Sequence, residues 1–402
     1  MSISDSFVEN GVPYYRGGDI YNPFIEFATN SLKIPYDVFA QTTMVRSHLR
    51  KGDVLMSIVG AIIGNVSIVT TDNNATCSCK LAIIRPKEGI SSEYLATFLR
   101  SKYGQKQIQK FRRGTGQTGL ILEDFDQLLI PQVSKDIQDK IQTILDKSLH
   151  CATQSIRLYD EAEASLLNRI GMGNFTANSN PCNVKTLKES FIETGRLDAE
   201  YYQPKYDDIL HHIQAYKNGS KDLGEICEIK DANFTPQENV TYKYVELANI
   251  GKYGNIIGCS QQKGEFLPSR ARRIVSKNEV IVSSLEGSLD SCALVEEDYD
   301  GALCSTGFYV LKSNVLNPET LLVMFKSPLI KDLMKKGCSG TILTAIGRQE
   351  LERIPIPLIQ QEIQEEIAKH VQNSIALRKE SLQLLEDAKL TVEEAIQNGG
   401  VK

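Results

Sequence analysis

Residues 128–141 read LLIPQVSKDIQDKI, and residues 354–367 read IPIPLIQQEIQEEI, each position 226 residues further on. Ile130, Pro131, Ile137, Gln138 and Ile141 recur as Ile356, Pro357, Ile363, Gln364 and Ile367. A repeat at this distance narrows the folds open to the chain, because one half must build a unit that the other half builds again. The echo extends upstream. NVSIV (65–69) answers SCALV (291–295), and KLAIIRP (80–86) answers TGFYVLK (306–312). SSEYLATFLRSKYGQKQIQKFRRGTGQT (91–118) matches NPETLLVMFKSPLIKDLMKKGCSGTILT (317–344) in residue type rather than identity. The shift grows to about 230 near the start, where PYYRGGDI (13–20) faces YKYVELANI (242–250).

Each copy has the same internal order. Short β-type runs broken by Gly, Asn and Asp come first. A helical stretch follows, Ser91–Arg112 in one copy and Pro318–Lys336 in the other. Then come a Gly/Thr loop (RRGTGQT or KKGCSGT), an Ile-Pro stop, and a long helical pattern free of Pro and Gly. The long helices are expected over about 136–169 and 362–397. Apolar or small residues at 137, 141, 144, 148, 151, 155, 158, 162 and 165, and again 226 residues later except for the polar His370, give the alternating spacing of a coiled-coil seam. Ile137, Ile141, Ile144, Leu158, Ile363, Ile367, Leu377 and Leu384 are its larger members. The cheapest partner for each such helix is the other copy's helix.

The expected fold is therefore α+β. Two repeated mixed α/β domains are separated by two long antiparallel coiled-coil helices about a pseudo-twofold axis. The expected divisions are a first domain at 1–133, a helix and linker at 134–186, a second domain at 187–359, and a helix at 360–402. Copy two has a lead-in, Leu187–Asp231, that copy one does not match, so the first domain is expected to be N-terminally shortened by roughly 40 residues.

Composition excludes some roles. Hydrophobic content of 41% and charged content of 24% are those of a soluble globular protein. No apolar run approaches the ~20 residues that span a bilayer, and no secretory signal opens the chain, so a cytoplasmic location without membrane contact is expected. The nine cysteines are scattered, with Cys77 and Cys79 the only close pair, and they read as buried residues or free thiols rather than a metal site. A dinucleotide-binding Gly-x-Gly-x-x-Gly loop and a phosphate-binding Gly-Lys-Ser/Thr loop are both missing, and the five histidines show no triad or metal spacing. YNPF (21–24) reads as a turn. No catalytic residue, metal or cofactor is expected on this chain.

Two similar domains at a fixed separation suit an extended polymer read in two places, and DNA is the obvious one. A net charge of −5 then requires local basic patches. In copy one these are Arg46, Arg50 and Lys51, then Lys110, Arg112 and Arg113 beside Thr115, Gln117 and Thr118. In copy two they are Arg270, Arg272 and Arg273, then Lys335 and Lys336 beside Thr341, and Arg348. Lys102, Lys106 and Lys110 also fit a solvated helix face, and the Gly/Thr loops also fit plain turns.

Taken together, KGDVLMSIVGAIIGN (51–65), FRRGTGQTGLILEDFDQLLIP (111–131) with DIQDKI after it, GRLDAEYYQPKY (195–206), SSLEGSLDSCALV (283–295) and GTILTAIGRQELERIPIPLIQQEIQEEI (340–367) resemble the specificity subunit of Type I restriction-modification enzymes. The resemblance covers nearly the whole chain. It implies two target-recognition domains, each reading one half of a split site in double-stranded DNA, with the helices as a ruler between them. It also implies a subunit without a catalytic centre, serving phage defence. Such a subunit recruits two methyltransferase subunits, which bind S-adenosylmethionine and methylate adenine, and in some complexes restriction motor-nuclease subunits. The competing reading is a coiled-coil adaptor that does not bind DNA.

Overall fold

The computed structural model describes residues 6–27, 32–114, 118–178, 180, 182–340 and 344–399. The chain divides into two compact units. Unit one is built from residues 1–153 and 377–402, and unit two from residues 154–376.

Unit one contains two small sheets. In the first, Leu32–Ile34 pairs antiparallel with Val12–Tyr15, which pairs parallel with Thr76–Cys77. In the second, Val54–Ser57 lies between Val66–Ile68 and Leu81–Ile84, all antiparallel. Unit two repeats both. Thr241–Val245 pairs parallel with Leu303–Ser305, and Val280–Ser283 lies between Cys292–Leu294 and Phe308–Ser313. The parallel pair sets Tyr14 opposite Thr76 in one unit and Tyr244 opposite Leu303 in the other.

The central strands explain why VLMS and VIVS are unbroken apolar runs rather than alternating ones. Successive side chains leave a strand on opposite faces. Val54 and Met56 enter the core under the helices, while Leu55 enters the core with Tyr15 and Ile20. Val280 and Val282 face one core of unit two and Ile281 faces the other. A strand packed on both faces needs no polar side. The turn before it needs a left-handed residue, supplied by Gly52 (φ 87°) in unit one and by Asn278 (φ 66°) in unit two.

The sequence reads one helix from Ser91 to Arg112; the structure has two, Ser92–Arg100 and Lys102–Phe111. Ser101 is extended, and its hydroxyl accepts from Gly104 N–H at 3.3 Å, capping the second helix as the first ends. The matching Ser327 divides Pro318–Lys326 from Pro328–Gly337, with Pro328 adding a missing N–H. Each unit thus carries a helix hairpin where periodicity alone predicts a rod.

The long helices run Lys135–Arg169 and Gln361–Gln397, so the first spans ~52 Å at 1.5 Å per residue. They pack antiparallel. In unit one Ser148 Oγ lies 2.9 Å from Ser381 Oγ, and Ala388 and Val392 share a core with Ile141 and Leu145. In unit two Ser155 Oγ lies 3.1 Å from Ser374 Oγ, and Ser165 donates to Glu366. The pair in one unit is the copy of the pair in the other, shifted by 226 residues with the helices exchanged.

Leu145 and Val371 widen the apolar stripe beyond the seam in the sequence, and at alternate steps the buried stripe runs through such neighbours instead of the seam positions. Leu145, Tyr159, Leu166, Val371 and Val392 are the buried residues, where Ile144, Leu158, Ser165, His370 and Thr391 are half-buried. Each helix packs on its own unit's hairpin as well as on the other helix, which turns the stripe toward the hairpin. Of the expected interface residues, Ile141, Ile363 and Ile367 are buried, and Ile137, Ile144, Leu158, Leu377 and Leu384 are half-buried.

The lead-in has a structural role in unit two. Its strand Cys227–Lys230 adds a fourth strand beside Phe308–Ser313, and Ser220–Asp222 pairs with Pro355–Pro357. Both prolines of the second Ile-Pro stop therefore lie inside a strand. Among the described residues the corresponding sheet of unit one has three strands. No helix of the described residues is long and apolar enough to cross a membrane.

Candidate nucleic-acid interface

Three loops meet at one end of the central strand in each unit. In unit one the backbone of Arg113 exchanges hydrogen bonds with that of Gly119, at 3.2 and 3.0 Å. Leu120 N–H then donates to Ile58 C=O, and Gly60 N–H to Thr118 C=O, both at 2.9 Å. The third loop joins where Ile58 N–H donates to Lys80 C=O at 3.1 Å. In unit two Ile346 N–H donates to Ser284 C=O at 2.8 Å, Glu286 N–H to Thr344 C=O at 3.0 Å, and Ser284 N–H to Gly307 C=O at 2.8 Å. The described residues flanking each Gly/Thr loop thus pair along the turn after the central strand. Thr115, Gln117 and Thr341 lie outside the described residues.

In unit one the junction holds Lys110, Arg112, Arg113 and Thr118. Arg112 and Lys110 are exposed, with Arg112 Nη2 3.5 Å from Thr118 Oγ1 and Lys110 over the ring of Phe111. Arg113 reaches back to Asp124, a buried carboxylate that also accepts from Ile121 N–H at 3.0 Å. Arg113 therefore pins the loop to the short helix Leu122–Phe125. Arg46, Arg50 and Lys51 are exposed but precede the central strand, at its opposite end. Lys51 lines a cleft there with Glu93 and Asp146. The structure does not bring the two basic groups of unit one together.

Unit two does gather several of its candidates. Arg270, Arg272 and Arg273 lie on or just before the strand Ala271–Ile274, and Thr306 N–H of the third loop donates to Arg270 C=O at 2.8 Å. Arg273 donates to Phe308 C=O and lies over the Tyr309 ring at 5.4 Å. Arg348 pairs with Asp231 at 2.7 Å and Glu352 at 2.8 Å, and its hydrogen bond holds the Asp231 carboxyl below the usual range. Arg270 pairs with Glu246 at 3.0 Å, and Arg272 donates to Ser269 C=O at 2.9 Å. Tyr309, raised mainly by burial, donates to Ile346 C=O at 3.1 Å and so ties the Gly/Thr loop to the sheet.

Lys335 and Lys336 turn the other way. Lys335 pairs with Glu200 at 3.3 Å, and Lys336, lowered by burial, lies 4.7 Å from the centre of the Tyr201 ring. Arg196 lies over that same ring at 4.5 Å. These cations hold the lead-in on unit two. Sequence spacing missed Asp231, Tyr309, Glu200 and Tyr201, because each acts through residues far away in the chain. For Glu200 and Tyr201 the one signal was compositional, in the acidic and aromatic run DAEYY (198–202), and Asp231 and Tyr309 had none.

Asn22 Oδ1 accepts from Phe24 N–H at 3.0 Å, so YNPF is a turn. Among the described residues no cluster of His, Cys, Asp or Glu could hold a metal ion.

The family model for the Type I restriction modification DNA specificity domain matches residues 3–161 and again residues 217–387. The chain belongs to this family. Its duplicated specificity domain is that of a DNA-recognition protein. A search of curated proteins returns no match. Among solved structures, the chain is similar to the Type I restriction-modification system S subunit of M. genitalium, at 16% identity and a TM-score of 0.43, covering 98% of this chain and 90% of that one. It is similar also to the HsdS subunit of Thermoanaerobacter tengcongensis, at 13% identity and a TM-score of 0.30, covering 98% and 95%. A chain from a structure concerned with complex assembly and conformational transition of the type I R-M system matches at 15% identity and a TM-score of 0.31, covering 98% and 96%.

Proposed function

We propose that this chain is the specificity subunit of a Type I restriction-modification enzyme, reading a split DNA site with one part per unit and holding no catalytic centre. The observation that carries this reading is the three-loop junction, built twice on a duplicated specificity domain. Each junction has guanidinium groups beside it, with the Lys110 ammonium and the Thr118 hydroxyl added in unit one, and such groups suit phosphate positioning and base-edge contact. Arg270 and Arg348 in unit two, and Lys110, Arg112 and Thr118 in unit one, are the best-placed contacts. Arg270 and Arg348 are already paired with carboxylates, so phosphate must displace Glu246 and Asp231. Such preformed pairs hold the guanidiniums in place before DNA arrives. On this reading the recognition domains are 1–133 and 187–359, and the helical segments 134–186 and 360–402 set the gap between half-sites. Two methyltransferase subunits, with or without a restriction subunit, supply S-adenosylmethionine-dependent adenine methylation and cleavage in the cytoplasm.

The test is a methylation map. The chain is expressed with its methyltransferase subunit in a methylation-free host, and modified adenines are read by direct sequencing. A split motif with a fixed gap is expected. Methylation at scattered, motif-free sites would refute sequence reading by this chain. Inserting four residues near Gln154 is expected to lengthen the gap and leave both half-sites unchanged, and an unaltered gap would exclude the ruler role. DNA affinity is expected to fall steeply with salt, whereas a coiled-coil adaptor would show no DNA binding to lose.

A further inference from the structure

Each unit exposes a large aromatic side chain at the same place in its fold. In unit one the edge strand Leu32–Ile34 runs into the short helix Tyr36–Phe39, which starts after Pro35. In unit two Ser260–Lys263 pairs antiparallel with Thr241–Val245, as Leu32–Ile34 does with Val12–Tyr15, and runs into the helical turn Gly264–Phe266. Tyr36 is 66% exposed and Phe266 68%. Among the described residues neither side chain has a ring or hydrogen-bond partner.

The backbone beneath each ring is fixed. Val38 and Phe39 pack with Val12, Ile34 and Met44, and Phe39 stacks on His48 with ring centroids 3.9 Å apart. Leu267, next to Phe266, packs with Tyr244, Ala271 and Leu303. Gly264 N–H donates to Val240 C=O at 2.9 Å, and Glu265 N–H to Glu238 C=O at 3.2 Å. A Cβ on Gly264 would lie 2.1 Å from Gln237 O, so only glycine fits between these two loops. A solvated ring on a fixed backbone has little entropy to lose on binding, which is what an anchor at an interface requires.

The groups around each ring suit nucleic acid. Leu49 N–H donates to Ala75 C=O and Val275 N–H to Ala302 C=O, both at 2.9 Å, so Arg46 and Arg272, three residues before them, match in place. Each aromatic turn thus leads into an arginine of a kind that positions phosphate. Each ring also has an exposed carboxylate beside it, Asp37 in unit one and Glu265 in unit two, the latter 3.9 Å from Lys263. Phosphate repels a carboxylate, whereas the amino group of a base donates to it, so the turns themselves suit bases rather than the backbone. An aromatic ring among bases stacks on one or enters the step between two.

Resting on the DNA reading above, we propose that Tyr36 and Phe266 are matched wedges, one per unit, each unstacking a base step within the half-site that its unit reads. They add to the charged contacts a preference for steps that open easily, such as pyrimidine–purine steps. The experiment uses the chain in complex with its methyltransferase subunits, on duplexes carrying the motif that the methylation map returns. 2-Aminopurine replaces each adenine and pyrrolo-cytosine each cytosine in turn, so every base pair outside the methylated adenines is sampled. With the native chain, fluorescence is expected to rise at one step in each half-site. Phe266→Ala is expected to silence one of these signals and Tyr36→Ala the other, each weakening binding about tenfold. Phe266→Tyr and Tyr36→Phe are expected to keep both signals. Both side chains are on the surface, so the alanine variants keep the fold, which unchanged thermal unfolding verifies. Native affinity with unchanged signals in either alanine variant would overturn the proposal. Weaker binding with both signals retained would overturn it too, since the rings would then be surface contacts and not wedges. Loss of the methyltransferase subunits from either variant would assign its ring to a protein contact instead. A methylation map without a motif would refute the DNA reading itself, before any variant is made.

Discussion

Gln138 and Gln364 occupy matching places at the start of the two long helices and perform the same task. Gln364 Oε1 accepts from Asn317 N–H at 2.7 Å, and its Nε2 donates to Val315 C=O at 3.1 Å and Ile359 C=O at 2.9 Å. Gln138 accepts from Ser91 N–H at 2.7 Å and donates to Gly89 C=O at 3.0 Å and Val133 C=O at 3.4 Å. Each glutamine clamps the long helix to the N-terminus of the helix hairpin, which accounts for an Ile-Gln pair repeated at this point of both copies. Gln364→Ala leaves buried backbone groups without partners and is expected to destabilise unit two by about 3 kcal/mol in chemical denaturation. Gln138→Ala is expected to do less, because its third bond is longer. Thiol chemistry gives a second test at this scale. Burial pushes Cys77, Cys292 and Cys304 up to about 12 and leaves them as thiols at neutral pH. Of the nine cysteines, Cys79 and Cys182 are exposed. An aromatic disulfide reagent at pH 8 is expected to titrate these two quickly in the native protein, Cys259 more slowly, and the remainder only after unfolding. Rapid reaction of all nine in the native state would contradict the packing described.

At the scale of elements, the repeat, the two long helices and the strand-rich start of each copy were legible in the sequence, because hydrophobic period and repeat spacing report on local structure. What stayed hidden depends on contacts across the chain. The break at Ser101 comes from a capping hydroxyl and a close approach in which a Cβ on Gly104 would lie 2.3 Å from Phe98 O. In the matching hairpin Pro328 announces the break, and copy one has no such residue. The seam phase was equally ambiguous, since Ile144 and Leu145 are both apolar and only one of the two adjacent positions can face the other helix squarely. Only the hairpin of the same unit selects Leu145. The serine steps make a specific demand on the helix pair. Ser148 donates to Ser381 C=O at 3.0 Å, and Ser155 and Ser374 each donate to the other's carbonyl at 2.7 Å. Ser148 and Ser155 are 0% and 1% exposed, so the helices approach too closely for a larger side chain. Ser155→Ala is expected to lower stability by about 1 kcal/mol. Ser155→Leu overpacks the same site and is expected to lower it by 1–3 kcal/mol or more. A stabilised Ser155→Leu variant would mean that the seam has room the structure denies.

At the scale of the whole molecule, the two units share a repeated core and differ in connectivity. Unit two is one continuous segment, 154–376, whereas unit one needs 1–153 and the returning residues 377–402. That return carries weight. Ala388 and Val392 are 0% exposed in the core with Ile141 and Leu145. Glu393 accepts from Lys102 N–H at 2.8 Å and pairs with Lys102 Nζ at 2.9 Å, fixing the second helix of the hairpin. Emptying two or three such buried apolar sites removes about 3–6 kcal/mol. A domain's whole stability is about 5–15 kcal/mol, so the loss is a large share of it. Deleting residues 377–402 is therefore expected to strip amide-exchange protection from Val54–Ser57 and Ser92–Arg100 in unit one. Protection at Val280–Ser283 and Pro318–Lys326 in unit two should remain. The fragment 154–376, made alone, is expected to unfold cooperatively with native exchange protection in the same strands. Loss of protection in both units on deletion would show one cooperative body instead of two. Unchanged protection in unit one would show that its first segment, residues 1–153, folds without the returning helix.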